Sequence, residues 1–153
     1  MTKLQYSLKL KAKPHILMKL MTEYEYMPNY LPDQLKSMKI VEKNGNNVIT
    51  EEEMFFSTVF KSKIVQRSIH KKISDKELYT EVISGPAKGT NITIFFAESD
   101  AGTEVSVNID LKLNLKMRIL SPLIKKWYKM ISTAILYKMN SRSLNLINEN
   151  KEF

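Results

Sequence analysis

The 153-residue chain contains no cysteine, so disulfides and thiolate metal sites are excluded, and a reducing compartment is compatible with that lack. Only four glycines and five prolines are present, too few for long flexible linkers. Histidine is nearly as scarce: His15 and His70 fall in separate segments, and no converging set of metal ligands is expected. No run of about 18 apolar residues occurs, so no transmembrane helix is expected. The first residues, Met1 to Lys11, alternate and carry lysines throughout, unlike the apolar core of a signal peptide. A cytoplasmic protein is the resulting expectation. P-loop, dinucleotide and nucleophile-elbow patterns are absent too, which removes the commonest nucleotide-binding and serine-hydrolase signatures.

What is there is ordinary globular material, 43% hydrophobic and 26% charged, of a length that suits one domain with one core. The net charge is +8, but the lysines are spread along the chain instead of forming one block. Lys71-Lys72 and Lys125-Lys126 with Lys129 are the nearest to clusters. A solvated lysine-rich surface is the plain reading. Steering toward nucleic acid, ribosomes or an anionic membrane is the alternative.

Leu4, Tyr6, Leu8 and Leu10 alternate with polar residues, as a half-buried strand requires. Pro14 suits the first turn of a short helix over His15–Met21, and Tyr24–Leu31 reads as a second short helix broken at Pro28. Strands are then expected over Gln34–Glu42, Val48–Phe60, Ser62–Ile73, Glu77–Ser84, Gly89–Glu98 and Thr103 to about Met117. Asn44-Gly45-Asn46 is the strongest of the hairpin turns between them. In the last strand Val105, Val107, Ile109, Leu111, Leu113, Leu115 and Met117 are expected on one face. Such a strand would run roughly 45 Å at about 3.3 Å per residue, which calls for a bent, coiled sheet. Ser121 as N-cap and Pro122 in the first turn then open a long helix reaching about Leu146. Its expected apolar stripe is Leu120, Leu123, Trp127, Met130, Ile131, Ala134 and Ile135. Consecutive strands joined by short turns give an antiparallel sheet whose apolar face needs a cover, and the long helix is the obvious one.

Three stretches carry a resemblance. His15–Met21 runs on to Tyr30-Leu31-Pro32, Ser84–Thr90 forms a Gly-Pro turn, and Ala101-Gly102-Thr103-Glu104-Val105 forms a hairpin. In this order they resemble the START-like superfamily, also called SRPBCC or the birch-pollen-allergen fold, and look closest to its polyketide cyclase/dehydrase and coenzyme-Q-binding branch. The chain departs from that pattern at Thr90-Asn91-Ile92, where the branch commonly carries an aromatic residue. The resemblance implies an α+β helix-grip fold: a curved antiparallel sheet of about seven strands, two short helices after strand 1, and a long C-terminal helix packed across the sheet. Residues 1–147 would be one such domain and 148–153 a polar tail. The superfamily includes lipid carriers, quinone binders, cyclases, hydrolases, chaperone activators and a ribosome-associated group, so fold alone does not choose a function.

In strict alternation at least one of Glu51, Glu52 and Glu53 faces inward, where an apolar cavity would raise its pKa and equip it as an acid or base. A frayed or bulged strand start, with all three in solvent, is the favoured reading. Arg67 and His70 on the next strand are the partners an inward glutamate would have. Arg67 also suits a clamp on a ligand head group, although a surface ion pair is the plainer role. Tyr26 and Tyr30, with Tyr24 and Met27, are expected at a cavity mouth. Met54, Phe56, Phe96, Trp127, Met130 and Ala134 are expected to line the space between sheet and helix, where methionine suits an adaptable wall.

The reading that follows is a non-enzymatic binder or carrier of a lipid, quinone or polycyclic molecule held between sheet and helix. No catalytic residue, metal or cofactor is assigned. Lys125, Lys126 and Lys129 would bring the cavity mouth to an anionic membrane. A cyclase- or hydrolase-type enzyme using the same cavity is the first alternative, and it needs an inward titratable pair. A ribosome- or protein-binding module using the basic surface, with a filled interior, is the second.

Overall fold

The structure, a computed structural model, describes residues 2–56 and 63–148. Strand β1 (Thr2–Leu10) leads into helix α1 (Pro14–Met21) and a 3-10 turn over Tyr24–Asn29. Six strands follow: β2 (Leu35–Asn44), β3 (Asn47–Phe55), β4 (Lys63–Ser74), β5 (Glu77–Val82), β6 (Asn91–Ser99) and β7 (Gly102–Leu111). A short helix α2 (Leu115–Arg118) and the long helix α3 (Ser121–Asn148) complete the order. The expected strand segments at 57–60 and at Ser62, and the tail from 149 to 153, lie outside the described residues.

All seven strands form one antiparallel sheet in the order β1-β7-β6-β5-β4-β3-β2. Strands β2 to β7 are a meander, and β1 closes it by pairing along the whole of β7, from Thr2 opposite Leu111 to Leu10 opposite Thr103. The period of two fixes which face is dry: Thr103, Val105, Val107, Ile109 and Leu111 of β7 are buried while Glu104 and Asn108 are exposed. Two glycines permit turns that other residues strain. Gly45 sits at φ 61° in the β2–β3 hairpin, and Gly102 sits at φ 142° with its α-carbon against the backbone of Leu10 and Lys11. A β-carbon at Gly102 would lie 2.3 Å from the Leu10 carbonyl oxygen.

Helix α3 covers the dry face, and here the expected stripe is corrected. Ile124, Trp127, Tyr128, Leu136 and Met139 are buried, whereas Leu123 and Met130 are half exposed. The helix is apolar over a wide arc, so its sequence does not choose the buried edge; contact with the curved sheet does. The last strand is corrected as well. It stops at Leu111 because Asn114 caps α2, its side chain accepting from the Met117 N–H at 3.0 Å, while its own N–H donates to the Pro86 carbonyl at 3.1 Å. Met117 is still buried, but through a helical turn, and Leu115 is 80% exposed. Ser121 also departs from expectation: Ile124 N–H already donates to Leu120, and the Ser121 hydroxyl pairs with Thr2 Oγ1 at 2.9 Å.

Candidate functional site

Between the sheet and α3 lies a cavity of about 190 Å³. Most of its wall is aliphatic: Leu78 and Ile94 from the sheet face Ile131 and Ile135 from α3, with Met21 and Met27 at the α1 end. On β3, β4 and β5 the wall turns polar. Alternation along β3 points Val48, Thr50, Glu52 and Met54 inward, and alternation along β4 points Gln66, Ser68 and His70 inward. The register sets Glu52 opposite Gln66, Thr50 opposite Ser68, and His70 opposite Thr80 of β5. Six polar side chains thus occupy one contiguous patch on a face that is mostly apolar elsewhere.

These side chains hydrogen-bond to one another. Ser68 donates to Glu52 Oε1 at 2.6 Å and Thr50 donates to Oε2 at 3.1 Å. Thr50 Oγ1 is also 2.8 Å from His70 Nε2, and His70 Nδ1 is 2.8 Å from Thr80 Oγ1. With the Thr50 proton on Glu52, the Thr50 oxygen accepts from His70 Nε2–H, and Nδ1 accepts from Thr80. Glu52, Thr50 and His70 form an unbroken line from a carboxyl group to a neutral imidazole, and Thr80 extends it. Burial pushes the Glu52 carboxyl up from 4.5 to about 7, opposed by bonds from Ser68, Thr50 and Gln66 and reinforced by the Glu51 charge. Burial takes His70 the other way, from 6.5 down to about 4. Tyr24 stacks on the imidazole, and burial raises its phenol to about 12. Tyr128 is raised by burial and by the nearby Glu52 charge. The arrangement holds a carboxyl that titrates near neutrality beside an uncharged imidazole, both facing an apolar space. Among the described residues no cluster of metal-ligating side chains occurs.

Of the residues singled out from sequence, Met54 and Trp127 line the cavity. Phe56 packs 3.9 Å from the Trp127 ring, beside a much smaller void toward α2. Phe96 is fully buried in the core, outside the cavity wall. Met130 is 55% exposed and Ala134 half-buried, and neither lines the cavity. Arg67 is on the outer face of the sheet, its Nε donating to Glu51 at 3.1 Å. Tyr26 and Tyr30 bind α3 instead of the cavity: the Arg142 guanidinium lies 3.7 Å over the Tyr26 ring and donates to the Tyr30 hydroxyl and to Glu23. The reading that leaves all three glutamates in solvent is corrected, since Glu52 is buried and only Glu51 and Glu53 pair outside. Sequence reasoning passed over Thr50, Gln66, Ser68, Thr80 and Tyr128. For Thr50, Gln66 and Ser68 the signal was polar residues in phase with buried ones along β3 and β4.

No protein-family model matches the sequence, and no curated protein does. Solved structures match over nearly the whole chain. The Zhui aromatase/cyclase from a Streptomyces species superposes with a TM-score of 0.82 at 8% identity, covering 95% of each chain. The protein TTHA0849 from Thermus thermophilus gives 0.80 at 16% identity, covering 94% of this chain and 98% of that one. A START superfamily protein from Mycobacterium smegmatis gives 0.76 at 12% identity, covering 94% and 98%. The chain therefore has the START-like helix-grip fold, with the seven-stranded sheet, short helical segments after β1 and long C-terminal helix that its sequence led one to expect.

Proposed function

We propose that the protein binds and carries an apolar small molecule in the cavity between the sheet and α3. The observation that carries this reading is the cavity itself, about 190 Å³ of mostly apolar wall, with most of its polar side chains gathered on β3, β4 and β5. A 150 Å³ apolar cavity accommodates benzene, so the space suits on the order of one or two fused rings or a short acyl segment. Removing ~200 Å² of ligand surface from water contributes about 5 kcal/mol at ~25 cal/mol per Å². Tyr24 and Met27 line the cavity from the 3-10 turn, which makes that turn the gate. Mass spectrometry of the native protein, with solvent extraction of any passenger, tests the proposal. A stoichiometric apolar passenger supports it; a clean apo mass after incubation with lipid and quinone extract overturns it.

An enzyme using the same cavity is the second reading, and a specific observation favours it. Glu52 and His70 are the inward titratable pair that such a reading requires, joined through Thr50. Its test is turnover of small ketones or polyketide mimics by the wild type and by Glu52→Gln: no turnover above background by the wild type would remove the reading, and equal rates in the two would remove Glu52 from it.

The membrane partner is also a proposal. Leu115, Ile119 and Leu123 are exposed around the start of α3, close in sequence to Lys116, Arg118, Lys125 and Lys126, and Lys129 lies one turn beyond. Apolar side chains amid cations suit contact with an anionic bilayer. Sedimentation with phosphatidylserine vesicles should be salt-sensitive and should weaken in a Leu115→Ser/Ile119→Ser variant.

A further inference from the structure

We propose that the cavity takes an apolar ligand carrying a protonated basic nitrogen, with the Glu52 carboxylate as its counterion. The inference rests on the cavity-binding reading above and names the chemistry of the ligand. Its starting point is a mismatch. Three donors of the chain, on Ser68, Thr50 and Gln66, are aimed at one buried carboxyl group. Such a cradle is built for the ionised form, because a carboxylate accepts at every one of its lone pairs whereas a carboxylic acid must also donate. Yet among the described residues lining the cavity none is Lys or Arg. The titratable groups that face Glu52 are Tyr24 from the 3-10 turn, His70 from β4 and Tyr128 from α3. Glu51 adds a like charge from the outer face of β3. None of these supplies a cation: the phenols are held protonated and neutral, and His70 is held neutral.

A buried carboxylate with hydrogen bonds but no countercharge is the half of an ion pair that the chain contributes. The cavity offers the rest of a site for an ammonium group. A carboxylate has about four acceptor positions and the chain uses three, leaving room for one donor from the ligand. Tyr24, Trp127 and Tyr128 line the same cavity, and aromatic rings attract a cation as well as an apolar ring. The aliphatic wall of Leu78, Ile94, Ile131 and Ile135 then receives the apolar part. An arylalkylamine of one or two rings fits both halves. A neutral ligand of the same shape would use the wall and leave the carboxylate unanswered. An acid would add a second negative charge beside Glu52.

Three probes sharing one ring system separate these cases: naphthylmethylamine, naphthalenemethanol and naphthoic acid. Affinity is read by calorimetry and by quenching of Trp127, the single tryptophan, at about pH 8, where Glu52 is ionised and the amine protonated. The amine should bind about tenfold or more tighter than the alcohol, and the acid more weakly than either. In Glu52→Gln the advantage of the amine should disappear, while the alcohol binds within about threefold of wild type. Equal affinity of amine and alcohol in the wild type, or an advantage that survives Glu52→Gln, would overturn the inference and leave the cavity reading standing. Failure of all three probes to bind would overturn both. Should Glu52→Gln not fold, carbon NMR of the wild-type Glu52 carboxyl decides the matter. Saturation with the amine should lower its pKa and saturation with the alcohol should not; an unmoved titration with bound amine overturns the proposal.

Discussion

The Tyr24 ring lies flat on the His70 imidazole, with centroids 4.3 Å apart and planes inclined by 21°. The contact joins the 3-10 turn to the middle of β4 and seals one side of the imidazole from water. Tyr24→Ala should therefore let the His70 pKa climb back toward 6.5, by about a unit or more, because burial is what depresses it. Imidazole proton shifts followed through the titration would show this. An unchanged titration would mean that the sheet alone keeps His70 dry.

Glu52 and His70 should make opposite contributions to stability as pH changes. The Glu52 carboxyl is raised from 4.5 to about 7, so its contribution is fully present below 4.5 and is lost as pH rises through about 7. The imidazole is lowered from 6.5 to about 4, so its contribution is present above 6.5 and is lost as pH falls through about 4. Each shift corresponds to about 3 kcal/mol, and over the shared window the two nearly cancel. His70→Gln should uncover a loss of stability with rising pH, and Glu52→Gln a loss with falling pH. Urea unfolding of both variants at matched pH values checks the signs, since every other titrating group is common to the two.

Arg142 fastens the 3-10 turn to α3. It donates to Glu23 at 2.7 Å and to the Tyr30 hydroxyl at 3.0 Å while covering the Tyr26 ring, and Lys138 donates to the Tyr30 carbonyl at 2.8 Å. The pair with Glu23 is partly exposed, so Arg142→Ala should cost only about 1–2 kcal/mol in all. The sharper effect is local: hydrogen exchange across residues 24–30 should quicken while that of β7 stays put.

Filling the cavity should separate stability from binding. Ile135→Phe adds bulk to a side chain that lines the cavity and is only partly buried. Thermal unfolding should change by no more than about 1 kcal/mol, because the extra atoms enter existing space. Binding of naphthalenemethanol should fall at least about tenfold. Retained affinity would place the ligand elsewhere.

The two hairpin glycines should differ sharply. Gly102→Ala drives a β-carbon into the Leu10 and Lys11 backbone and should cost about 3 kcal/mol or more. Gly45→Ala meets nothing within 4 Å and should cost about 1 kcal/mol, the strain of the left-handed conformation alone. Chemical denaturation of the two variants side by side is the check.

Sequence alone determined the order of the strands, the antiparallel sheet, the dry face of β7 and the covering role of the C-terminal helix, though not helix α2. Each of these rests on local periodicity or on a turn residue, and such signals need no distant partner. Alternation through Glu51–Glu53 also offered one inward glutamate with His70 and Arg67 as partners, but the favoured reading left all three glutamates in solvent. Only the tertiary structure chose between them. The β3–β4 register sent Glu52 and His70 inward and Arg67 outward to Glu51, because a shift of one residue reverses every side chain. The same holds for α3, whose broad apolar arc admitted Met130 and Ala134 as readily as Tyr128 and Ile131 until the curved sheet selected one edge. Tyr26 and Tyr30 were legible as aromatic residues near a mouth, but their partner Arg142 is more than a hundred residues away and only folding brings it there. Local periodicity settles which faces of the strands alternate; long-range packing settles which edge of α3 is buried and what the buried polar side chains face.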